Sequence, residues 1–356
     1  MSARSILSAV NRETYDVIEI GITHDGAWLV GEKVLDSMLQ GSSGLLSQAT
    51  ILPDPSQRAI FRIDPGRDKA NIERLSDLDV VFPVLHGTFG EDGTLQGLLE
   101  LADLAYVGAG VLGSSLGMDK GVFKDVMRAH GIPVVESIVL SRQEIQSEME
   151  QCIQRGLQIS QFPLFVKPAN LGSSVGIMKC KSRADLMEGL ADAARYDRRV
   201  IVERGIDARE IEVSVLGNEN PIASIPGEIL PSREFYSYEA KYIDDASRLL
   251  IPAPIPPQIS ERVQDLAIKA YKAIDCAGMA RVDFLLEKTG ADGVQPGQLY
   301  LNELNTIPGF TKISMYPKLW EASGIFYPEL IDRLIELAIE RKADRDRTER
   351  RYRTDE

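Results

Sequence analysis

The 356-residue chain predicts an α/β fold of two or three domains, on three observations. Helix-like and strand-like stretches alternate along the chain instead of gathering into blocks. Apolar residues make up 44% of the sequence, enough at this length to fill more than one core. Apolar strands also run directly into glycine-bearing loops, the position at which α/β folds hold ligands.

The first unit begins with an amphipathic helix over 2–10, a strand over 15–22 and an apolar strand over 79–85. A helix follows over 94–104, with Thr94 as its expected cap and Leu95, Leu98, Leu99 and Ala102 as its apolar stripe. Tyr106 and Val107 return as a strand. A helix over 119–130 stops at Gly131, with Pro133 just beyond.

A second unit starts with a strand over 134–140 and continues as a helix over 143–155, strands over 162–167 and 176–180, a helix over 183–196 and a strand over 199–203. The third part opens with strands over 210–216 and 222–229, then a polar excursion over 231–257, long enough to suggest a functional loop. A helix over 259–274, strands over 280–287 and 298–305, and a helix starting near Tyr327 complete it. Residues 342–356 are almost wholly charged and are expected to fray as a solvated tail.

Composition narrows the function. Forty basic against 53 acidic residues give a formal charge of −13, a field that repels nucleic acid and anionic membrane. No apolar run approaches the roughly 20 residues of a membrane span, and no signal-peptide core follows Met1. Cys152, Cys180 and Cys276 lack metal or disulfide spacing and read as buried apolar residues, as Trp28 and Trp320 read as packing residues. A soluble, cytoplasmic protein without nucleic-acid or membrane partners is expected.

Alternation places Arg281 and Asp283 on one face of a strand, and Glu303 and Asn305 on one face of the next. A hairpin turning about Gly293 would set Asp283 opposite Glu303 and Arg281 opposite Asn305. Two carboxylates and an amide oxygen suit magnesium, although an exposed hairpin with cross-strand ion pairs would use the same residues. The turn that follows, Thr306 to Phe310, lets the Gly309 amide approach a ligand, and with Arg281 it could form an oxyanion site.

Two further loops carry chemistry. Residues 167–176, KPANLGSSVG, offer a lysine, hydroxyls and amides to a polyphosphate, but they are not a Walker loop, which needs G-x-x-x-x-G-K-[ST] before a helix. Residues 86–93, HGTFGEDG, link an apolar strand to a helix; there His86 could be a hydrogen-bonded loop residue and Glu91-Asp92 could simply favour the helix N-terminus. The aromatic and charged run 235–242 could close over a site.

Four ordered motifs, HGTFGEDG, KPANLGSSVG, EAKY at 239–242 and NELNTIPGF at 302–310, resemble the D-alanine:D-alanine ligase family of ATP-grasp enzymes over about residues 15–340. The resemblance implies a three-domain ATP-grasp architecture: an N-terminal α/β domain over 1–110, a central domain over 111–206, a C-terminal catalytic domain over 207–345 and a charged tail over 346–356. It implies ATP and magnesium, or manganese in its place, and a homodimer. Nucleotide contacts would fall to Lys120, Lys167, Glu203, Glu210 and Lys241, and metal ligation to Asp283, Glu303 and Asn305. Ser173 and Tyr242 match residues near the first substrate, and His86 one near the reacting centre. Arg281 and Gly309 match oxyanion donors, and Ser314 and Met315 the site for the second carboxylate.

Family members normally begin with a strand and a Gly-rich loop bearing a substrate-binding glutamate, which this sequence is expected to lack because its first residues align with the helix after it. Relatives that accept D-lactate or D-serine are the nearest alternative. A nucleotide-binding protein without turnover is another. Tyr242 resembles the dipeptide-forming kind.

Overall fold

The computed structural model describes residues 1–66, 70–172, 175–230, 248–288 and 297–349. After helix α1 (Ser2–Leu7), the first strands form one antiparallel sheet in chain order: β1 (Gly21–Ile22), β2 (Trp28–Val30), β3 (Ser47–Ile51), β4 (Ala59–Pro65) and β5 (Ala70–Asp77), with α2 (Val34–Leu39) between β2 and β3. A short parallel pair, β6 (Val80–Val81) and β7 (Ala105–Tyr106), brackets α3 (Thr94–Leu101).

The sequence expectations for 15–22 and 79–85 are thus corrected: regular pairing is confined to two residues of each. Thr94 is the first residue of α3 rather than its cap. Gly93 occupies the cap position at φ +96°, and the Asp92 carboxylate accepts the Thr94 N–H at 3.0 Å.

Helices α4 (Val111–Met118) and α5 (Lys120–Ala129) lead to a four-stranded antiparallel sheet ordered β10 (Met178–Cys180), β9 (Leu164–Pro168), β11 (Arg199–Arg204), β8 (Ser137–Ser141). Its helices are α6 (Arg142–Ser147), α7 (Met149–Ile159) and α8 (Arg183–Tyr196). Leu164, Val166, Val200 and Val202 pack with Leu186 and Leu190 of α8, so the alternate residues, Lys167 and Glu203 among them, lie on the opposite face.

The last sheet runs β15 (Arg248–Leu250), β14 (Gly227–Leu230), β12 (Ala208–Gly217), β16 (Gly278–Glu287), β17 (Leu299–Asn305), with β13 (Ile222–Ala223) paired to β12. The expected single strand over 222–229 is therefore two. Ile211, Val213, Val215, Val282 and Phe284 cover one face against Val263, Ala267 and Tyr271 of α9 (Pro257–Ala273). At one end of the other face, Met279 and Leu216 meet Tyr316 and Trp320 of α10 (Met315–Ala322) and Leu334 of α11 (Tyr327–Asp346). Each fully buried leucine or isoleucine here contributes on the order of 2 kcal/mol.

The charged C-terminal stretch does not fray where expected. Helix α11 runs through Asp346, and Lys342 and Arg345 both pair with Asp103. All three cysteines are buried thiols, and Trp320 is fully packed. Among the described residues no helix is long and apolar enough to cross a membrane.

Candidate active site

The site builds up from the polar face of the last sheet. Alternation along β12 and β16 sends Ile211, Val213, Val282 and Phe284 to the core, and Glu210, Glu212, Arg281 and Asp283 to the other side. The register places Glu212 beside Asp283 and Asp283 beside Glu303, three carboxylates in one row across three strands. One step along the ladder, Arg281 stands beside Asn305. This is the pairing that the hairpin arithmetic anticipated.

Arg281 moderates the row. It donates to both oxygens of Asp283 at 2.8 and 2.7 Å, lies 3.1 Å from Glu212 Oε2, and is held firmly protonated by those carboxylates despite its burial. Asn305 Nδ2 donates to Asp283 Oδ2 at 3.0 Å.

The central sheet supplies cations. Lys167 Nζ lies 2.5 Å from Glu203 Oε2, and Lys124 Nζ 3.0 Å from Oε1 of the same carboxylate. Burial opposes the charge on Glu203, yet the two ammonium groups hold it down at about 2. Burial also opposes the charge on Lys167, and Glu203, then Glu303 and Glu210, more than offset it. Because those last two residues belong to the other sheet, Lys167 sits where both polar faces meet.

Lys120 opens α5 and donates from Nζ to the Leu171 carbonyl at 2.7 Å. Asp119 fixes that helix start: one carboxylate oxygen accepts from Gly121 and Val122, while Arg199 grips both oxygens at 3.0 Å. The Lys120 N–H also bonds the Ala169 carbonyl, so the helix and the 167–176 loop are tied together.

The 86–93 loop reaches the same place. His86 Nδ1 lies 3.0 Å from the Ile307 carbonyl, and burial lowers its pKa. Glu91 accepts the Gly87 N–H at 2.9 Å. Its pKa is raised to about 7 by burial first, with Glu303 adding to the rise and Lys120 and Arg281 opposing it.

Beyond β17, Ser314 Oγ accepts the Thr311 N–H at 3.1 Å, and a side chain at Gly309 would approach that oxygen to 3.1 Å. Gly309 therefore keeps the turn close to the start of α10. Met315 is buried against Ile229 and Leu319, so what this position can offer a carboxylate is its backbone N–H in the first helical turn.

The structure thus brings together Lys120, Lys167, Glu203, Glu210, Arg281, Asp283, Glu303, Asn305 and His86, with Gly309, Ser314 and Met315 on the adjoining turn. Ser173, Lys241 and Tyr242 lie outside the described residues. Sequence reasoning did not single out Lys124, Glu212 or Glu91 as site residues. The first two had signals: Lys124 follows Lys120 by one helical turn, and Glu212 follows Glu210 by one strand repeat. Burial of Glu91 had none.

Among the described residues no three His, Cys, Asp or Glu side chains form a ready metal cluster. Asp283, Glu303 and Asn305 are instead two carboxylates and an amide, a hard oxygen set of the sort magnesium completes with phosphate oxygens and water, and it fits that ion.

Comparison with known proteins places this geometry in context. Residues 1–109 match the family model described as D-ala D-ala ligase N-terminus, and residues 126–336 that described as D-ala D-ala ligase C-terminus. The D-alanine–D-alanine ligase of Natranaerobius thermophilus is 46% identical over 97% of this chain and 92% of its own. Among solved structures, the D-alanine–D-alanine ligase of Coxiella burnetii superposes with a TM-score of 0.77 at 37% identity, covering 97% of this chain and 90% of its own. The VanG D-Ala:D-Ser ligase of Enterococcus faecalis gives 0.80 at 33%, covering 95% and 94%.

Proposed function

The chain belongs to the D-alanine:D-alanine ligase family, with its ATP-grasp fold, and from that membership we propose that it joins two D-alanines with ATP to give D-alanyl-D-alanine for peptidoglycan. The observation that carries the reading is the Arg281–Asn305 and Asp283–Glu303 register facing Lys167. It gathers, at one point, donors for a polyphosphate, oxygen ligands for its metal and a guanidinium for developing negative charge.

The chemistry follows from what a carboxylate lacks. Its charge repels an amine, so an oxygen of the first D-alanine carboxylate attacks the γ-phosphorus, forming an acylphosphate and releasing ADP. The amine of the second D-alanine then attacks the acyl carbon, loses a proton, and phosphate departs from the tetrahedral intermediate. Asp283, Glu303 and Asn305 would hold magnesium, or manganese in its place, which would supply charge neutralisation for the phosphoryl group.

We assign the remaining roles on the same basis. Lys120 and Lys167 neutralise phosphate oxygens, Lys241 is a further nucleotide contact, Glu203 is a hinge residue near the adenine, and Glu210 contacts the ribose. Arg281 and the Gly309 N–H stabilise the oxyanion, whose stabilisation is worth roughly 3 kcal/mol per donor in comparable sites. Ser314 and the Met315 N–H hold the second carboxylate. His86 sits at the reacting centre, and Ser173 and Tyr242 order the first substrate and exclude water.

Domain divisions near 110 and 207, a homodimer and a cytoplasmic location, where nucleotide and reduced thiols coexist, complete the proposal. The likeness to a D-Ala:D-Ser ligase makes a D-serine acceptor the second reading, with D-lactate the corresponding ester-forming case. The test is phosphate release from ATP and magnesium with D-alanine or L-alanine alone, and with D-serine or D-lactate added to D-alanine, followed by mass detection of the product. D-alanine-dependent release with dipeptide establishes the first reading; a D-alanyl-D-serine product in preference to dipeptide replaces it with the second. ATP binding without any release would reduce the chain to a nucleotide-binding protein.

A further inference from the structure

Glu203 has two lysines, and they are not equivalent. Lys124 is 1% exposed at its side chain and Lys167 14%, while Glu203 itself is 4% exposed. Each lysine takes its own carboxylate oxygen, Lys124 at 3.0 Å from Oε1 and Lys167 at 2.5 Å from Oε2. Only Lys167 stands on the face that meets the acidic row of the other sheet.

Lys124 cannot leave. It projects from α5, whose neighbouring Phe123 and Met127 are locked in the core below the last sheet, and whose start is fixed by Asp119 and Arg199. A buried carboxylate with one cation loses its only counter-charge when that cation moves, whereas one with two keeps a partner. With both lysines beside it, Glu203 is held anionic despite its burial.

We propose that Lys124 is a positioning residue for nucleotide binding: as the fixed counter-ion of Glu203, it leaves the Lys167 ammonium able to swing or share its donors toward the polyphosphate. The inference rests on the reading of Lys167 as a phosphate contact. Without Lys124, Lys167 becomes the sole partner of a buried anion and is held away from the phosphates. Lysine carries three donors, so a partial shift suffices.

Calorimetry on the full chain with magnesium, using ATP and, by competition, adenosine, separates these effects, because adenosine lacks the phosphates that Lys167 reads. Lys124→Met is expected to raise the ATP dissociation constant by about tenfold or more, while adenosine changes by less than about twofold. In turnover, KM for ATP rises and kcat moves little. A merely structural role would weaken both ligands together, and that result would overturn the proposal.

Lys167→Met is the control for the underlying reading. If it leaves the ATP-to-adenosine preference unchanged, Lys167 is not a phosphate contact and the inference falls with it. If Lys167→Met lowers the preference and Lys124→Met does not, the inference alone is overturned. Should Lys124→Met fail to fold, Lys124→Met/Glu203→Gln removes both charges and unclamps Lys167. Its ATP-to-adenosine preference is then expected at or above that of the unaltered protein, and a lower one would refute the clamp.

Discussion

Asp283 stands directly across the β16–β17 ladder from Glu303, and the register slips by one residue immediately beside them. Phe284 pairs with Leu301, so Asn302 is the extra residue of a bulge. The bulge reconciles two demands on β17: Leu301 and Leu304, three apart, both reach the core, while Glu303 and Asn305 both face the cleft. An unbulged strand would have turned one set inside out.

Asp283→Ala and Glu303→Ala are each expected to reduce magnesium-dependent phosphate release by about a thousandfold or more, because on the proposed metal assignment each removes a charged ligand of the ion. The fold should survive. Without Asp283, Arg281 retains Glu212 at 3.1 Å. Steady-state turnover with a thermal melt checks both halves, and near-normal turnover would sink the metal assignment.

Glu91 sets a pH dependence of stability in the ligand-free protein. Its carboxyl is raised from 4.5 to about 7, so between those values the folded chain keeps a proton that the unfolded chain has lost. Stability contributed by this group is therefore largest at or below about pH 4.5 and declines as pH rises towards 7. Each unit is worth about 1.4 kcal/mol, trimmed by the partial exposure of the carboxyl. Glu91→Gln can still accept the Gly87 N–H and should flatten that slope in denaturant melts taken from pH 5 to 7.5; an unaltered slope would refute it.

Asp119→Ala removes the cap of α5 and both bonds to Arg199. Loss of the cap alone costs about 1 kcal/mol, and the unpaired, part-buried guanidinium adds a comparable amount. A fall in melting temperature of several degrees is expected, with a higher KM for ATP, since Lys120, the proposed phosphate contact, is the first residue of that helix. An Asp119→Asn variant should recover most of the cap and less of the ion pair.

How far the sequence revealed this site depended on what each residue's visibility rested upon. The acidic row was legible because a period of two and a hairpin midpoint fix which side chains meet. Helix α8 was legible, expected over 183–196 and found there, with Ser182 capping it by accepting the Asp185 N–H. Strand β5 was not, for nearly all its residues are exposed and nothing demands apolar alternation along ANIERLSD. Lys124 was hidden for the opposite reason: a lysine is expected at the surface, and only the fold supplies the carboxylate that permits its burial. Charge likewise misled at 342–346, where a string of ions was read as a solvated tail although its cations have partners on an earlier loop.

That last region yields the strongest test of how the C-terminal helix holds the first unit. Arg341 of α11 donates to the Gly108 carbonyl at 2.7 Å and the Tyr106 carbonyl at 3.1 Å, and its guanidinium lies 4.1 Å from the centre of the Tyr106 ring. Arg345 pairs with Glu100 and Asp103 one turn further along. Arg341→Ala deprives two carbonyls of a charged donor and removes a cation–π contact, a loss of about 2–4 kcal/mol. Arg341→Lys supplies only one compact ammonium and should restore less than half of it. Because Arg341 lies outside the proposed nucleotide site, KM for ATP in the folded fraction should stay within about twofold, a difference below 0.5 kcal/mol. Denaturant melts read the first effect and initial rates the second; a stable Arg341→Ala protein would show that this latch does not hold the first unit in place.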